Sequence, residues 1–144
     1  MRKVIGFIAM FFVTVTLAFA APETKGISSQ DVSRKPDVFC KVTKEPDPLL
    51  MGGWRCVHRN YSMRLHKYLH EHTEYWLVKH GNQYGLYFFR IVPDEKTYKG
   101  WRECTINGGV ITSKTGFKIS VENGEVIYSW GKEKPTKMTR IEGS

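Results

Sequence analysis

From Leu49 to Glu142 the chain repeats with a period of two, which limits it to strands whose successive side chains point to opposite faces of a sheet. The clearest stretch is Phe117-Lys118-Ile119-Ser120-Val121-Glu122, apolar and polar in strict turn. Asn123-Gly124 follows, a pair that accepts the positive backbone angles of a tight hairpin. Further strands are expected at residues 54–61, 74–80, 83–92, 97–105, 110–113, 125–130 and 137–141. Gly81-Asn82, Pro93-Asp94-Glu95-Lys96 and Asn107-Gly108-Gly109 mark turns between them. Residues 62–73 form the one connection long enough for a helix or a lid. Eight short strands in an antiparallel meander predict an all-β fold, a small up-and-down β-barrel that removes its own edges by closing. Eight strands enclose just enough space for side chains or for one small ligand.

Residues 1–20 do not follow this pattern. Arg2 and Lys3 precede an uncharged apolar run from Val4 to Leu17, and Ala18-Phe19-Ala20 offers a small-x-small cleavage site. The run is short for a bilayer span, and Pro22-Glu23-Thr24-Lys25 is too poor in positive charge to stop transfer. A cleaved signal peptide, and a periplasmic or secreted product, are therefore expected. About 124 residues remain, enough for one domain. Residues 21–48, rich in Pro, Ser, Lys, Asp and Glu, read as a flexible N-terminal arm, disordered at least to Arg34, with Phe39-Cys40 docked on a barrel domain of residues 49–144.

The chain has 22 basic and 14 acidic residues, and loss of Arg2 and Lys3 lowers its formal charge from +8 to +6. In an exported protein this argues against nucleic acid and towards an envelope protein, an anionic polymer or a lipid surface as counter-charge. Cys40, Cys56 and Cys104 all survive cleavage, so one intramolecular disulfide and one thiol are expected. Cys56 and Cys104 would staple distant strands; a bond from Cys40 to Cys56 would instead tie down the arm.

Gly52-Gly53-Trp54 stands ahead of the first long strand, where a buried indole can plug the end of a small barrel. With the eight-strand meander behind it, the sequence resembles the lipocalin-like (calycin) superfamily, whose members begin their first strand with Gly-x-Trp. The resemblance implies a structural pair, Trp54 and a basic residue of the last strand packed over it, which Arg140 is placed to supply. It also implies binding of a small apolar molecule, although some members are enzymes or inhibitors.

Candidate pocket residues are Tyr61, Tyr87, Phe89, Tyr98, Trp101, Phe117 and Tyr128, since rings bury large area with little rotamer loss and Tyr adds a polar handle. Both faces of residues 86–91 are apolar, so some rings face outward, against the arm or a second copy in a homodimer. His66, His70 and His72 are spaced so that a helix would bring the first two to one face and one metal ion. Cys56 and His58 would share a strand face, the minimum for a thiol activated by an imidazole. No zincin motif, phosphate loop, dinucleotide fingerprint or haem attachment pair is present, and no cofactor is expected. The leading expectation is a non-covalent carrier of a small hydrophobic or amphipathic molecule. The alternative is a non-enzymatic envelope interaction protein docking a protein or anionic polymer through a basic, aromatic surface.

Overall fold

The computed structural model describes residues 26–91 and 97–144. The expected signal, the start of the arm and the turn Pro93-Asp94-Glu95-Lys96 lie outside the described residues. After a short helix, α1 (Ser29–Ser33), come β1 (Lys41–Lys44), a 3-10 turn at Pro48–Leu50, β2 (Gly52–Ser62), β3 (Lys67–His80) and β4 (Gln83–Ile91). Then follow β5 (Tyr98–Arg102), β6 (Cys104–Asn107), β7 (Val110–Ser113), β8 (Phe117–Glu122), β9 (Glu125–Trp130), β10 (Thr136–Lys137) and β11 (Thr139–Arg140). The fold is all-β, in two sheets, and neither sheet closes on itself.

One sheet has the order β1-β6-β7-β8-β9-β10 and the other β11-β2-β3-β4-β5. Consecutive strands from β2 onward pair antiparallel within each sheet, whereas β1 joins β6 in parallel. The chain changes sheet twice without a long connection, at Glu103 between β5 and β6 and at Met138 between β10 and β11. The Met138 corner is held from both sides, its N–H donated to Val126 and that of Ile141 to Gly53. Asn123 and Gly124 both take positive φ, 53° and 77°, as a tight hairpin between β8 and β9 requires.

Between the sheets lies the main core. Phe88 and Phe117 stack with centroids 4.4 Å apart, Tyr75 and Tyr128 pack in the same layer, and all four are at most 1% exposed. Alternation puts Trp54 and Cys56 of β2, Tyr75 and Leu77 of β3, and Leu86 and Phe88 of β4 on this inner face. Arg140 lies over the indole of Trp54 at 4.3 Å and donates to the Met51 carbonyl.

The opposite parity of β3–β5 is apolar too, and part of the N-terminal arm packs on it, including residues before Arg34 expected to be disordered. Ile27, Val32 and Val38 pack with Trp76, Tyr87, Phe89 and Trp101 in a second cluster on the outer face of the second sheet. Pro36 sits so close to Gly85 that a Cβ there would lie 2.5 Å from the Pro36 ring, so the covering segment needs glycine at that place. The physical reason is burial: several large rings would otherwise face water. A capping box between Ser28 and Asp31 starts α1, and the Ile27 N–H donates to Glu74 at 3.0 Å.

Residues 62–73 are also corrected. They form no helix or lid; β2 and β3 run on as a long hairpin closed by Met63-Arg64-Leu65-His66, with His66 at φ 54°. His66 is therefore in a turn while His70 and His72 are on a strand, so the helical spacing behind the proposed metal ligands is not realised. Cys40, Cys56 and Cys104 are free and buried in this structure. Cys56 faces Thr73 across β2 and β3, whereas Cys40 and Cys104 immediately precede the first registered pair of β1 and β6, Lys41 and Thr105.

Candidate functional site

The β2–β3 hairpin outgrows its sheet. β4 pairs with β3 from His72 to His80, and β11 pairs with β2 at Trp54 and Arg55, so among the described residues the ribbon beyond Val57 and His72 has no further strand neighbour. Of the exposed large apolar residues among the described ones, Val57, Tyr61, Met63, Leu65 and Tyr68 all lie in this finger and Tyr98 alone lies outside. Met63, at the tip, is 76% exposed.

Strand parity sorts the finger. Val57, Arg59 and Tyr61 face out with their partners Tyr68, His70 and His72, continuing the outer face that the N-terminal segment covers further along β3. Tyr61 meets Tyr68 edge-on at 5.1 Å, and the Arg59 guanidinium lies 4.1 Å over the Tyr68 ring. These contacts keep flat rings and cations in one layer. From Val57 to His70 the sequence holds Arg59, Arg64 and Lys67 and no acidic residue. The finger is thus both apolar and positive.

At its base, on the inner face, sits a buried charge cluster. His58 of β2 pairs in register with Glu71 of β3, and Thr73 with Arg90 of β4. Arg90 donates twice to Glu71 Oε1, from Nη2 at 2.6 Å and Nε at 3.2 Å, while its guanidinium stacks 4.1 Å over Trp130. The imidazole of His58 lies between two carboxylates, with Nε2 3.5 Å from Glu71 and Nδ1 3.7 Å from Glu133. Burial holds His58 below its usual range against the attraction of Glu71, with Arg90 adding to the depression. Burial raises Glu133, and repulsion from Glu71 adds to it, against Arg90. The Arg90–Glu71 ion pair is thus flanked by two groups, His58 and Glu133, whose burial works against their charged forms.

His58, Glu71 and Glu133 present donor atoms within 4.8 Å of one another, the one trio among the described residues that a metal ion fits by distance. His66, His70 and His72 form no such group there. The thiol of Cys56, beside His58 in parity, is pushed up to about 12 by burial, the opposite of an activated nucleophile.

The seven pocket candidates are distributed over three places. Phe117 and Tyr128 are in the core between the sheets; Tyr87, Phe89 and Trp101 are beneath the N-terminal segment; Tyr61 and Tyr98 are exposed. Among the described residues they are not gathered at one point. A cleft of about 420 Å³ opens instead at the sheet corner, lined by Phe39, Lys41, Cys104, Thr105, Ser113 and Lys114 among others, and by none of the seven. Of the basic residues that a positive surface would draw on, Lys99 pairs with Asp31 at 3.1 Å and Lys114 with Glu103 at 3.5 Å. Arg59, Arg64 and Lys67 are together on the finger.

Sequence reasoning missed the charge cluster because Glu71, Arg90 and Glu133 come from separate segments. A signal was present: His58 follows Trp54 and Cys56, and Arg90 follows Leu86 and Phe88, at alternate positions that are otherwise apolar up to that point. No family model, characterised protein or solved structure matches this chain.

Proposed function

We propose that this is an exported, non-enzymatic binding protein that docks on an anionic lipid surface through its β2–β3 finger. The observation that carries the reading is the concentration of exposed apolar residues in one acid-free, cationic ribbon. Large exposed apolar patches mark interaction sites, and this one is too mixed to suit a purely polar partner. Met63 and Leu65 at the tip suit the acyl boundary, Tyr61 and Tyr68 suit the headgroup layer, and Arg59, Arg64 and Lys67 face phosphate. An anionic polysaccharide would leave Met63 and Leu65 without a partner.

The same proposal takes the two sheets as one flattened lipocalin-like barrel whose corners are Glu103 and Met138. Gly52-Gly53-Trp54 at the start of β2 and Arg140 stacked on Trp54 support it. The interior then acts as a scaffold, since Phe88, Phe117, Tyr75 and Tyr128 occupy its middle. A carried apolar molecule would have to displace these rings.

Co-sedimentation with unilamellar vesicles tests the function. Binding to vesicles of phosphatidylcholine with phosphatidylglycerol, weakened by salt and absent from pure phosphatidylcholine, is the expected result. Equal binding to both vesicles, or to neither, overturns it, as does tight binding to an acidic protein with no affinity for lipid.

A further inference from the structure

We infer that Cys40 and Cys104 are a disulfide pair that fastens the N-terminal covering segment to the first sheet, leaving Cys56 as a free thiol. In the parallel pairing of β1 and β6, Lys41 is opposite Thr105 and Val42 opposite Ile106, so each cysteine immediately precedes the first registered pair. Neighbouring strands run about 4.8 Å apart, inside the Cα separation that a disulfide spans. Both side chains are buried, and the Cys104 thiol is near enough to hold Cys40 below its usual value. Cys56 sits on β2 opposite Thr73, so the geometry selects one of the three pairings that sequence leaves open.

The position gives the bond a use. Cys40 is the end of the segment that covers Tyr87, Phe89 and Trp101, and its own N–H donates to Tyr84 of the second sheet at 2.8 Å. Beyond it, β1 is a four-residue edge strand with little burial, the kind of element that opens locally. A covalent link at this point joins cover, first sheet and second sheet at one corner.

Formation requires a disulfide-bearing oxidant, a class that oxidising compartments maintain. Interaction with the Cys104 thiol lowers Cys40 and favours its thiolate despite its burial. That thiolate attacks one sulfur of the oxidant and expels the other as a thiolate, leaving a mixed disulfide on Cys40. Cys104 then loses its proton, attacks the Cys40 sulfur and releases the second thiolate. Two protein thiols are oxidised and one oxidant disulfide is reduced to two thiols. The cleft lined by Cys104, Phe39 and Lys41 gives the oxidant an approach as β1 opens.

The test is made on the folded protein treated with oxidised glutathione, then denatured, alkylated and mapped by mass spectrometry. The expected product has lost two hydrogens, takes one alkyl group, and yields a linked peptide joining Cys40 to Cys104. Its melting temperature should stand higher than that of the reduced protein by on the order of 10 °C, because the bond closes a long loop. Cys56→Ser should form the same link and Cys40→Ser should form none. Three alkylated thiols after oxidation, or a link that includes Cys56, overturns the inference. None of these readouts depends on lipid binding.

Discussion

The outer face of the second sheet has two halves that begin alike and end differently. Along β3 the face continues from Tyr68, His70 and His72 to Glu74, Trp76 and Val78 without a change of parity. From Glu74 on it is covered: Ile27, Val32, Pro36 and Val38 lie over Trp76, Tyr87, Phe89 and Trp101. On the finger it is bare, and Val57 and Tyr68 are more than half exposed. The covered half is nearly all ring and aliphatic; its rim cation, Lys99, is paired with Asp31. The bare half interleaves rings with Arg59 and His70. Apolar density decides which part the chain covers itself, and interleaved charge lets the rest remain in water.

The largest effect should come from removing a ring of the covered half. Trp101 is buried and meets Tyr87 edge-on at 4.9 Å beneath the N-terminal segment. Trp101→Ala should destabilise the protein by about 3–5 kcal/mol in urea unfolding and leave the finger's affinity for vesicles unchanged once folded. Loss of less than about 1 kcal/mol would show that the cover is loose and that the two halves are energetically alike.

Next is the charge of the bare half. Arg59→Gln with Lys67→Gln removes two cations that the membrane surface potential attracts, each worth about 1 kcal/mol, so affinity for anionic vesicles should fall about 30-fold. Thermal stability should not follow it. A matching fall in stability would place these side chains in the fold rather than in binding.

How the halves arise was only partly legible in the sequence. Most strands from β2 onward were, because alternation and turn chemistry agree locally, as at Phe117–Glu122 before Asn123-Gly124, but β1 and the breaks at Glu103 and Met138 were not. The finger was not: its turn has no Gly, Pro or Asn, and depends on His66 adopting positive φ with the Ser62 hydroxyl and carbonyl accepting from Leu65 and His66 N–H. Nor was the cover, since Ile27, Val32, Pro36 and Val38 have no regular period and are apolar only in relation to a surface formed 50 or so residues later. The buried cluster of His58, Glu71, Arg90 and Glu133 depends on register, which sequence spacing alone does not supply.

The boundary between the halves is Glu74, and it should respond to acid. Burial works to raise this carboxyl, but hydrogen bonds from His72 and the Ile27 N–H, with the charges of His72 and Arg55, hold it below its usual value of 4.5. Its folded value is depressed, so its stabilisation is present above the unfolded value and is lost as pH falls through the folded one. Below about pH 4.5 the Ile27 amide should therefore lose protection against exchange, judged against the intrinsic rate at that pH, while the amides of β8 and β9 stay protected. Glu74→Gln should show the faster exchange already at neutral pH, at a cost of about 1 kcal/mol. Uniform exchange across both sheets would mean that the cover and the core open together.

The smallest effect on stability should come from the outermost ring of the bare half. Tyr68 is 56% exposed and touches Tyr61 and Arg59 rather than the core. Tyr68→Ala leaves no cavity and strands no buried polar group, so unfolding in urea should change by less than about 0.5 kcal/mol. If the finger docks on lipid as proposed, its vesicle affinity should drop nonetheless, because the ring contacts the Arg59 guanidinium and would itself enter the headgroup zone. If Tyr68→Ala instead unfolds the hairpin, read as loss of protection at Arg59 and His70, the ribbon needs its own aromatic clasp to stay paired. The distinction between a covered half that stabilises and a bare half that binds would then fail at Tyr68.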